Sequence, residues 1–125
     1  MKKVAVKKQK NAITYPKGFV ASGLYCGIKS RKSKKDLALV YSATPAIAAA
    51  CFTKNRVKAA PVEYCIRVLP NKNHQAILVN SGNANCYTGK KGQETVAESV
   101  AFCAKELGIK KKELFVASTG IIGKV

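Results

Sequence analysis

Thr119 and Gly120 are the two residues of this sequence whose types and spacing are best suited to chemistry. They follow an apolar run that is typical of a strand, Leu114-Phe115-Val116-Ala117-Ser118. A threonine hydroxyl and the unshielded backbone N–H of a glycine can both donate hydrogen bonds to a negatively charged oxygen. A strand that ends in Thr-Gly is also an ordinary turn, so the dipeptide alone does not decide between a turn and an oxyanion hole.

The sequence does not contain an evident nucleophile with its own base. Serine, threonine and cysteine need a neighbouring base to become nucleophilic, and the single histidine, His74, lies in a polar segment at 70–75 that we expect to be a loop. Glu94 and Glu98 are one helical turn apart, but they fall on the polar face of a predicted helix. The chain is therefore short of the parts that a complete active site needs.

The five cysteines do not form a metal-binding pattern. The gaps between them are 14 to 25 residues, and there is no Cys-x-x-Cys pair among Cys26, Cys51, Cys65, Cys86 and Cys103. Zinc sites normally contain closely spaced pairs of ligands. We expect no metal site and no cofactor, and we expect the cysteines to be mostly inert core residues in a reducing compartment.

The segment SGNANCYTGKKGQ, at 81–93, resembles a phosphate-binding loop only in part. Six residues separate Gly82 from Gly89, which is more than the Walker spacing allows, and Lys91 stands where the magnesium-binding hydroxyl residue should be. We reject nucleotide binding on these grounds. Asparagine and glycine form tight turns, so we expect three asparagines to brace a corner between a strand and a helix: Asn80, Asn83 and Asn85.

The charge of the chain is strongly positive. Lys and Arg number 23 against 6 Asp and Glu, a formal net charge of +17, and 11 of the basic residues precede Asp36, the first acid. Such an excess affects solubility and the choice of partner rather than the fold. A solvated surface, an acidic protein partner and a nucleic-acid-binding module all remain open. Against the last, KGFVA at 17–21 lacks the further aromatic residues of the RNA-recognition signature, and aromatic residues are not interleaved with the lysine clusters.

Strands and amphipathic helices alternate along the chain. In the first half we predict short strands within 13–29, a strand at 36–43, a turn at Thr44-Pro45 and a strand rather than a helix at 46–53. A helix follows that begins near Ala60 and stops at Pro70. The second half contains a buried strand at 76–79, a helix with an apolar stripe at 96–107 that Gly108 ends, and a closing strand at 114–118. This order predicts an α/β (α+β) fold with helices packed on a sheet. We expect a basic lead-in at 1–12 and one domain at 13–125, with no signal peptide or membrane span and hence a cytoplasmic location.

Several longer motifs occur in one order. They are YPKGFVASGLYCGIK at 15–29, KDLALVYS at 35–42, FTKNRVKAAPV at 52–62, AILVNSGNANCYTGKKG at 76–92, ELGI at 106–109 and VASTGIIG at 116–123. Together they resemble the ornithine acetyltransferase family of arginine biosynthesis, also called bifunctional glutamate N-acetyltransferases. The resemblance covers residues 13–123 and implies the layered sheet-and-helix architecture of that family.

The resemblance also implies a reaction and the residues that serve it. Members of the family are precursors that cleave themselves between an alanine and a threonine, and the new N-terminal threonine of the β chain is the nucleophile. It takes an acetyl group from N-acetylornithine and passes it to glutamate. The family's oxyanion hole lies in its Ser-Thr-Gly motif, which corresponds to Ser118-Thr119-Gly120, so the implied catalytic residues of this chain are Thr119 and Gly120.

The partners follow from the same resemblance. We expect a β chain that carries the nucleophile, in a heterotetramer of two α and two β chains. This chain corresponds to the N-terminal part of an α chain, without the nucleophile or the cleavage site, and we expect it to be inactive alone. A truncated reading frame, a fragment and one subunit of a split enzyme all remain open, as does the choice between one and both acetyl-transfer reactions.

Overall fold

The computed structural model describes residues 12–124. The main elements are strand β1 (Phe19–Leu24), strand β2 (Leu37–Ala46), helix α1 (Ala60–Val68), strand β3 (His74–Asn83), helix α2 (Gly89–Leu107) and strand β4 (Leu114–Ile121). Two short 3₁₀ helices, Ala12–Thr14 and Lys111–Glu113, precede β1 and β4. The predicted basic lead-in at 1–12 lies, apart from its last residue, outside the described range.

The four strands form one sheet in the order β1-β2-β3-β4. β1, β2 and β3 are antiparallel neighbours, whereas β3 and β4 are parallel. A parallel pair needs a long crossover connection, and α2 provides it. The expected α+β fold with helices packed on a sheet is confirmed.

The hydrophobic core lies between the two helices and one face of the sheet. Its buried members are Cys65 of α1, Val96 and Val100 of α2, Ala76 of β3, and Leu114 and Val116 of β4. Because paired residues of neighbouring strands share a face, the pairs Ala76–Leu114 and Leu78–Val116 continue toward Asn80–Ser118 on the same side. The core face therefore turns polar where β3 and β4 approach their carboxyl ends.

The opposite face of the sheet carries the alternate residues of the same strands. On β3 and β4 these are the paired residues Ile77–Phe115, Val79–Ala117 and Ser81–Thr119. Ile77 is 40% exposed, although it lies on a central strand. This face, called the open face below, ends in hydroxyl side chains at the same strand ends.

The sequence predicts both ends of α1 and the end of α2, whereas α2 begins at Gly89, before the predicted stripe at 96–107. α1 starts at Ala60 with Pro61 in its first turn and is capped by Leu69, immediately before Pro70. α2 ends at Leu107, and Gly108 caps it in the left-handed conformation. Proline tolerates the first turn of a helix and disfavours its continuation, which explains both ends of α1.

Two strand predictions are wrong. β2 runs through Thr44 and Pro45 instead of turning there, and its pairing with β3 shifts register between Tyr41 and Ala46. Proline cannot donate to a ladder, and such irregularities accommodate it. The strand predicted at 46–53 is absent, because β2 ends at Ala46 and residues 47–59 contain no helix or strand. Ile47 is 87% exposed, whereas Phe52 of the same segment is half-buried and packs against the core.

Candidate functional site

β3 and β4 extend beyond the apolar runs at 76–79 and 114–118 from which they are predicted. Residues 119–121 belong to β4, so Thr119-Gly120 is part of the strand and not a turn that follows it. Ser81 pairs with Thr119, and Gly82 pairs with Gly120. The two glycines have φ angles of +126° and +135°, which side-chain-bearing residues rarely adopt.

Gly120 lies directly against the backbone of β3. A Cβ atom at Gly120 would be only 2.6 Å from the nitrogen of Asn83 and 2.7 Å from the Cα of Gly82. No residue except glycine fits there without moving one strand. The absence of a side chain at Gly120 thus lets the two strand ends lie in direct contact.

The backbone N–H of Gly120 faces the edge of β4 that no other described strand covers, called the free edge below. In a parallel ladder, alternate residues of a strand bond to a given neighbour, and the residues between them point the other way. Ala84 N–H donates to the carbonyl of Ile121 at 3.0 Å, so Ile121 and Thr119 face β3 and Gly120 faces away. Val116 follows the same alternation, because its N–H and carbonyl both contact the Cys65 thiol of α1, at 3.5 and 3.2 Å.

Thr119 and Gly120 are therefore neighbours at one corner of the sheet. Both are exposed, and the Thr119 side chain lies on the open face while the Gly120 N–H lies at the free edge of β4. A hydroxyl and an N–H are both hydrogen-bond donors, so one anionic oxygen at this corner can be approached from two sides.

Three asparagines brace the corner between β3 and α2, as the sequence predicts. Asn80 Nδ2 donates to the carbonyl of Asn83 at 2.7 Å, and Asn83 Oδ1 accepts from the backbone N–H of Asn85 at 2.7 Å. Asn85, with φ of +47°, donates from Nδ2 to Ser118 Oγ at 3.3 Å. This network ties the loop after β3 to the residue that precedes Thr119.

A cleft of about 360 Å³ lies behind the same strand ends, on the core side of the sheet. Its polar lining consists of Asn80, Asn83, Asn85, Thr95, Ser99, Ser118 and Lys124. Ser118 therefore faces the cleft, whereas Thr119 is on the opposite face. Within the Ser-Thr-Gly triplet, Ser118 thus lies in the cleft on the core side, whereas Thr119 and Gly120 are exposed to solvent.

Asp36 is a buried residue that sequence reasoning missed. Only 2% of it is exposed, and its carboxylate accepts hydrogen bonds from the backbone N–H groups of Cys26 at 2.7 Å and Lys29 at 2.9 Å. Burial by itself raises the pKa of Asp36, but the hydrogen bonds from Lys29 and Cys26 outweigh it and lower the pKa from 3.8 to about 2. One sequence feature could have indicated a structural role for Asp36. It is the first acidic residue after a long basic stretch, and it directly precedes a strand.

The polar surroundings of His74 predict a loop, but the structure places this residue at the start of β3. It is 4% exposed and stacks on Phe115 with ring centroids 4.2 Å apart. Its Nε2 lies 3.4 Å from the carbonyl of Leu69, and Nδ1 has no hydrogen-bond partner among the described residues. Glu94 and Glu98 are exposed on α2, so the structure does not bring a carboxylate to this histidine from that helix.

The cysteines are less buried than expected. Cys65 is buried, and burial raises the pKa of its thiol, but Cys26 and Cys51 are exposed and Cys86 and Cys103 are half-buried. The prediction that most of them are core residues is therefore wrong for the two exposed ones. Within residues 12–124, no group of three or more histidine, cysteine, aspartate or glutamate side chains is arranged to hold a metal ion.

Two solved structures share this fold. The arginine biosynthesis bifunctional protein argJ from Bacillus halodurans superimposes with a TM-score of 0.84 at 37% identity, over 90% of this chain and 58% of that chain. The ornithine acetyltransferase of Mycobacterium tuberculosis, solved in complex with ornithine, gives a TM-score of 0.77 at 42% identity, over 90% and 61%. The fold is therefore that of the arginine-biosynthesis proteins of this class.

Sequence comparison identifies the family. The profile of the ArgJ family matches residues 20–125. The arginine biosynthesis bifunctional proteins ArgJ of Caldanaerobacter subterraneus subsp. tengcongensis and of Synechocystis are 50% and 49% identical to this chain, over 89% and 90% of it. The chain belongs to the ArgJ family, which confirms the resemblance that its motifs indicate.

The match covers only part of the relatives. The chain spans 27% of the length of each of these two proteins. None of the matches supports the alternative of a nucleic-acid-binding module. No helix within the described part of the chain has both the length and the hydropathy that a membrane span requires.

Proposed function

We propose that this chain is the N-terminal segment of an ArgJ α chain and that it contributes the oxyanion hole of an acetyltransferase. In this proposal Thr119 and Gly120 are the catalytic residues, and residues 13–125 are an incomplete domain. The nucleophile is the N-terminal threonine of a β chain that autocatalytic cleavage releases. Two α and two β chains assemble in the cytoplasm into the active enzyme, and this chain alone is inactive.

The direction of the Gly120 N–H carries the proposal. It faces the free edge of β4, and the hydroxyl-bearing Thr119 precedes it at an exposed corner. The glycine is also required by its φ of +135° and by its contact with β3, so the donor is held by backbone structure and not by a mobile side chain. Fixed donors of this kind are what stabilises a charge that develops only in the transition state.

The reaction proceeds in two acyl-transfer steps. The threonine oxygen of the β chain attacks the acetyl carbonyl carbon of N-acetylornithine, and the carbonyl oxygen becomes negatively charged. The Thr119 hydroxyl and the Gly120 N–H donate to that oxygen. The α-amino group of the threonine takes the hydroxyl proton during the attack and gives it to the ornithine amine, which is expelled from the tetrahedral intermediate and leaves the acetyl group esterified to the threonine.

The second step uses the same donors. The amine of glutamate attacks the ester carbonyl, and the negative charge forms again on the same oxygen. Collapse of this intermediate releases N-acetylglutamate, and the proton that the glutamate amine loses passes to the threonine oxygen. The relative solved with ornithine supports an ornithine-derived acetyl donor, and the choice of glutamate as acceptor rests on the resemblance.

Co-expression with the remainder of a relative tests the proposal. Residues 1–125 are produced together with the part of the Caldanaerobacter protein that follows the matched region, and acetyl transfer from N-acetylornithine to glutamate is measured. We expect activity in the assembled protein, and a loss of about a hundredfold or more in kcat for Thr119→Ala. Thr44→Ala, which alters an exposed threonine of β2, is the matched control and should leave kcat unchanged. Full activity of the assembled Thr119→Ala protein would overturn the proposal.

A further inference from the structure

We propose that Asp36 is a positioning residue for the oxyanion hole, which it sets through the loop formed by residues 26–29. The inference rests on the proposed function of Thr119 and Gly120. Asp36 does not touch the reacting atoms. It acts through two contacts in series, from the loop to Gly82 and from Gly82 to Gly120.

Asp36 joins three segments of the chain with its main chain and its side chain. Its N–H donates to the carbonyl of Leu24 at the end of β1, at 3.0 Å, and its carbonyl accepts from Ser81 N–H of β3, at 2.8 Å. Its carboxylate holds the loop, through Cys26 N–H at 2.7 Å and Lys29 N–H at 2.9 Å. Since both side-chain contacts are to backbone groups, the carboxylate fixes the path of the loop and not a flexible side chain.

The loop lies directly against Gly82. A Cβ atom at Gly82 would be 2.7 Å from Cγ2 of Ile28 and 3.2 Å from Cγ of Lys29. The Ile28 side chain therefore occupies the space that any other residue at position 82 would need. The position of the loop determines how far the backbone of β3 can move toward the core side.

Gly82 in turn lies against Gly120. The two glycines are register partners, and the backbone of β3 fills the space beside the Cα of Gly120. Ser81, the register partner of Thr119, is held by the carbonyl of Asp36. Both donors of the proposed oxyanion hole are thus supported from β3, at adjacent positions, by contacts that converge on Asp36.

The enzymatic test uses residues 1–125 assembled with the remainder of the Caldanaerobacter relative. We expect Asp36→Asn, which keeps the shape of the side chain but loses one acceptor, to lower kcat about tenfold or more while KM for N-acetylornithine changes little. Donors that are misplaced lose transition-state stabilisation and do not alter ground-state binding. Glu113→Gln is the matched control, because Glu113 is the other buried carboxylate, accepts from Lys110 N–H at 3.0 Å and lies at the opposite end of β4.

Hydrogen exchange of the 125-residue chain provides a readout that does not depend on activity. We expect the amides of Ser81 and Thr119 to exchange about tenfold faster in Asp36→Asn than in the unsubstituted chain, and at unchanged rates in Glu113→Gln. If Asp36→Asn does not fold, Ile28→Ala replaces it, because that variant removes the contact with Gly82 and keeps both hydrogen bonds of the carboxylate.

The outcomes separate this inference from the proposed function. Loss of activity in Thr119→Ala together with an unchanged kcat in Asp36→Asn and Ile28→Ala would overturn the role of Asp36 and leave the oxyanion hole standing. Full activity in Thr119→Ala would remove the proposed function, and the role of Asp36 falls with it. A lower kcat in both Asp36→Asn and Ile28→Ala, with KM and Glu113→Gln unaffected, is the result that the inference requires.

Discussion

Gly82 and Gly120 determine how closely β3 and β4 approach at their carboxyl ends. Each has a positive φ, and each has neighbouring atoms where a Cβ would be. Glycine adopts such a φ at little cost, whereas residues with a side chain do not. The loop at 26–29 contacts Gly82, and the network of Asn80, Asn83 and Asn85 bonds to Ser118 beside these strand ends.

Replacement of Gly120 by alanine tests that close approach. We expect Gly120→Ala to lower the free energy of unfolding by about 2 kcal/mol or more, because the Cβ meets the backbone of Gly82 and Asn83 and the φ of +135° is unfavourable. Gly89→Ala is the control, since Gly89 also has a positive φ but has open space around it, and it should cost about 1 kcal/mol. Urea denaturation measures both; equal costs would show that the backbone contact is unimportant.

The pH dependence of stability tests the charge state of Asp36. Its pKa is about 2 in the folded chain against an ordinary value of 3.8, so the ionised carboxylate stabilises the fold above about pH 4 and the contribution is lost as the pH falls from about 4 to about 2. The stability difference between the unsubstituted chain and Asp36→Asn should therefore shrink over that range. Thermal unfolding at pH 5, 4, 3 and 2 measures it, and a difference that stays constant would contradict the role of the charge.

At the scale of elements, the helices were predictable because local signals define them. Pro61, Pro70 and Gly108 mark three of the four helix ends, and the apolar stripe of α2 gives its buried face through Val96 and Val100. These signals act within a few residues along the chain. The same holds for the asparagine turn after β3, where side chains bond to their own backbone neighbours.

The strands were less predictable because their ends depend on distant partners. β4 continues to Ile121 because Ser81, Gly82 and Asn83 pair with its last three residues. The sequence around position 120 contains no local signal that predicts this pairing. Asp36 and His74 are buried for the same reason: the groups that cover them lie elsewhere in the sequence. Residue types alone indicated Thr119-Gly120 as a possible donor pair and the family motif implied its role, but the direction of the pair at the sheet edge required the register.

Removal of the most buried side chain of β4 tests whether the strand depends on the helices. Leu114 is 0% exposed and belongs to the core between the sheet and α2. We expect Leu114→Ala to lower the free energy of unfolding by about 2 to 5 kcal/mol, from lost burial and the cavity that remains. Leu24→Ala, at a leucine of β1 that is 50% exposed, should cost under about 1 kcal/mol. Similar costs at both positions would place the core elsewhere.

At the scale of the whole molecule, several large apolar side chains are exposed on a strongly basic chain. Large side chains are widely exposed, with Ile47 at 87%, Tyr87 at 81% and Phe102 at 70%, alongside a net charge of +17. A continuous apolar patch is typical of a surface that contacts other protein. The chain spans 27% of the length of these relatives, and we propose that these side chains contact the rest of the enzyme.

The rate of formation of the acetyl-enzyme tests the oxyanion hole most directly. In the assembled protein, a single turnover with N-acetylornithine and no glutamate is followed by mass spectrometry of the proposed β chain, whose N-terminal threonine we expect to gain one acetyl group. We expect Thr119→Ala to slow this step about a hundredfold or more, with unchanged affinity for N-acetylornithine and an unaffected Thr44→Ala control. Acetylation of Thr119→Ala at the rate of the unsubstituted protein would contradict it.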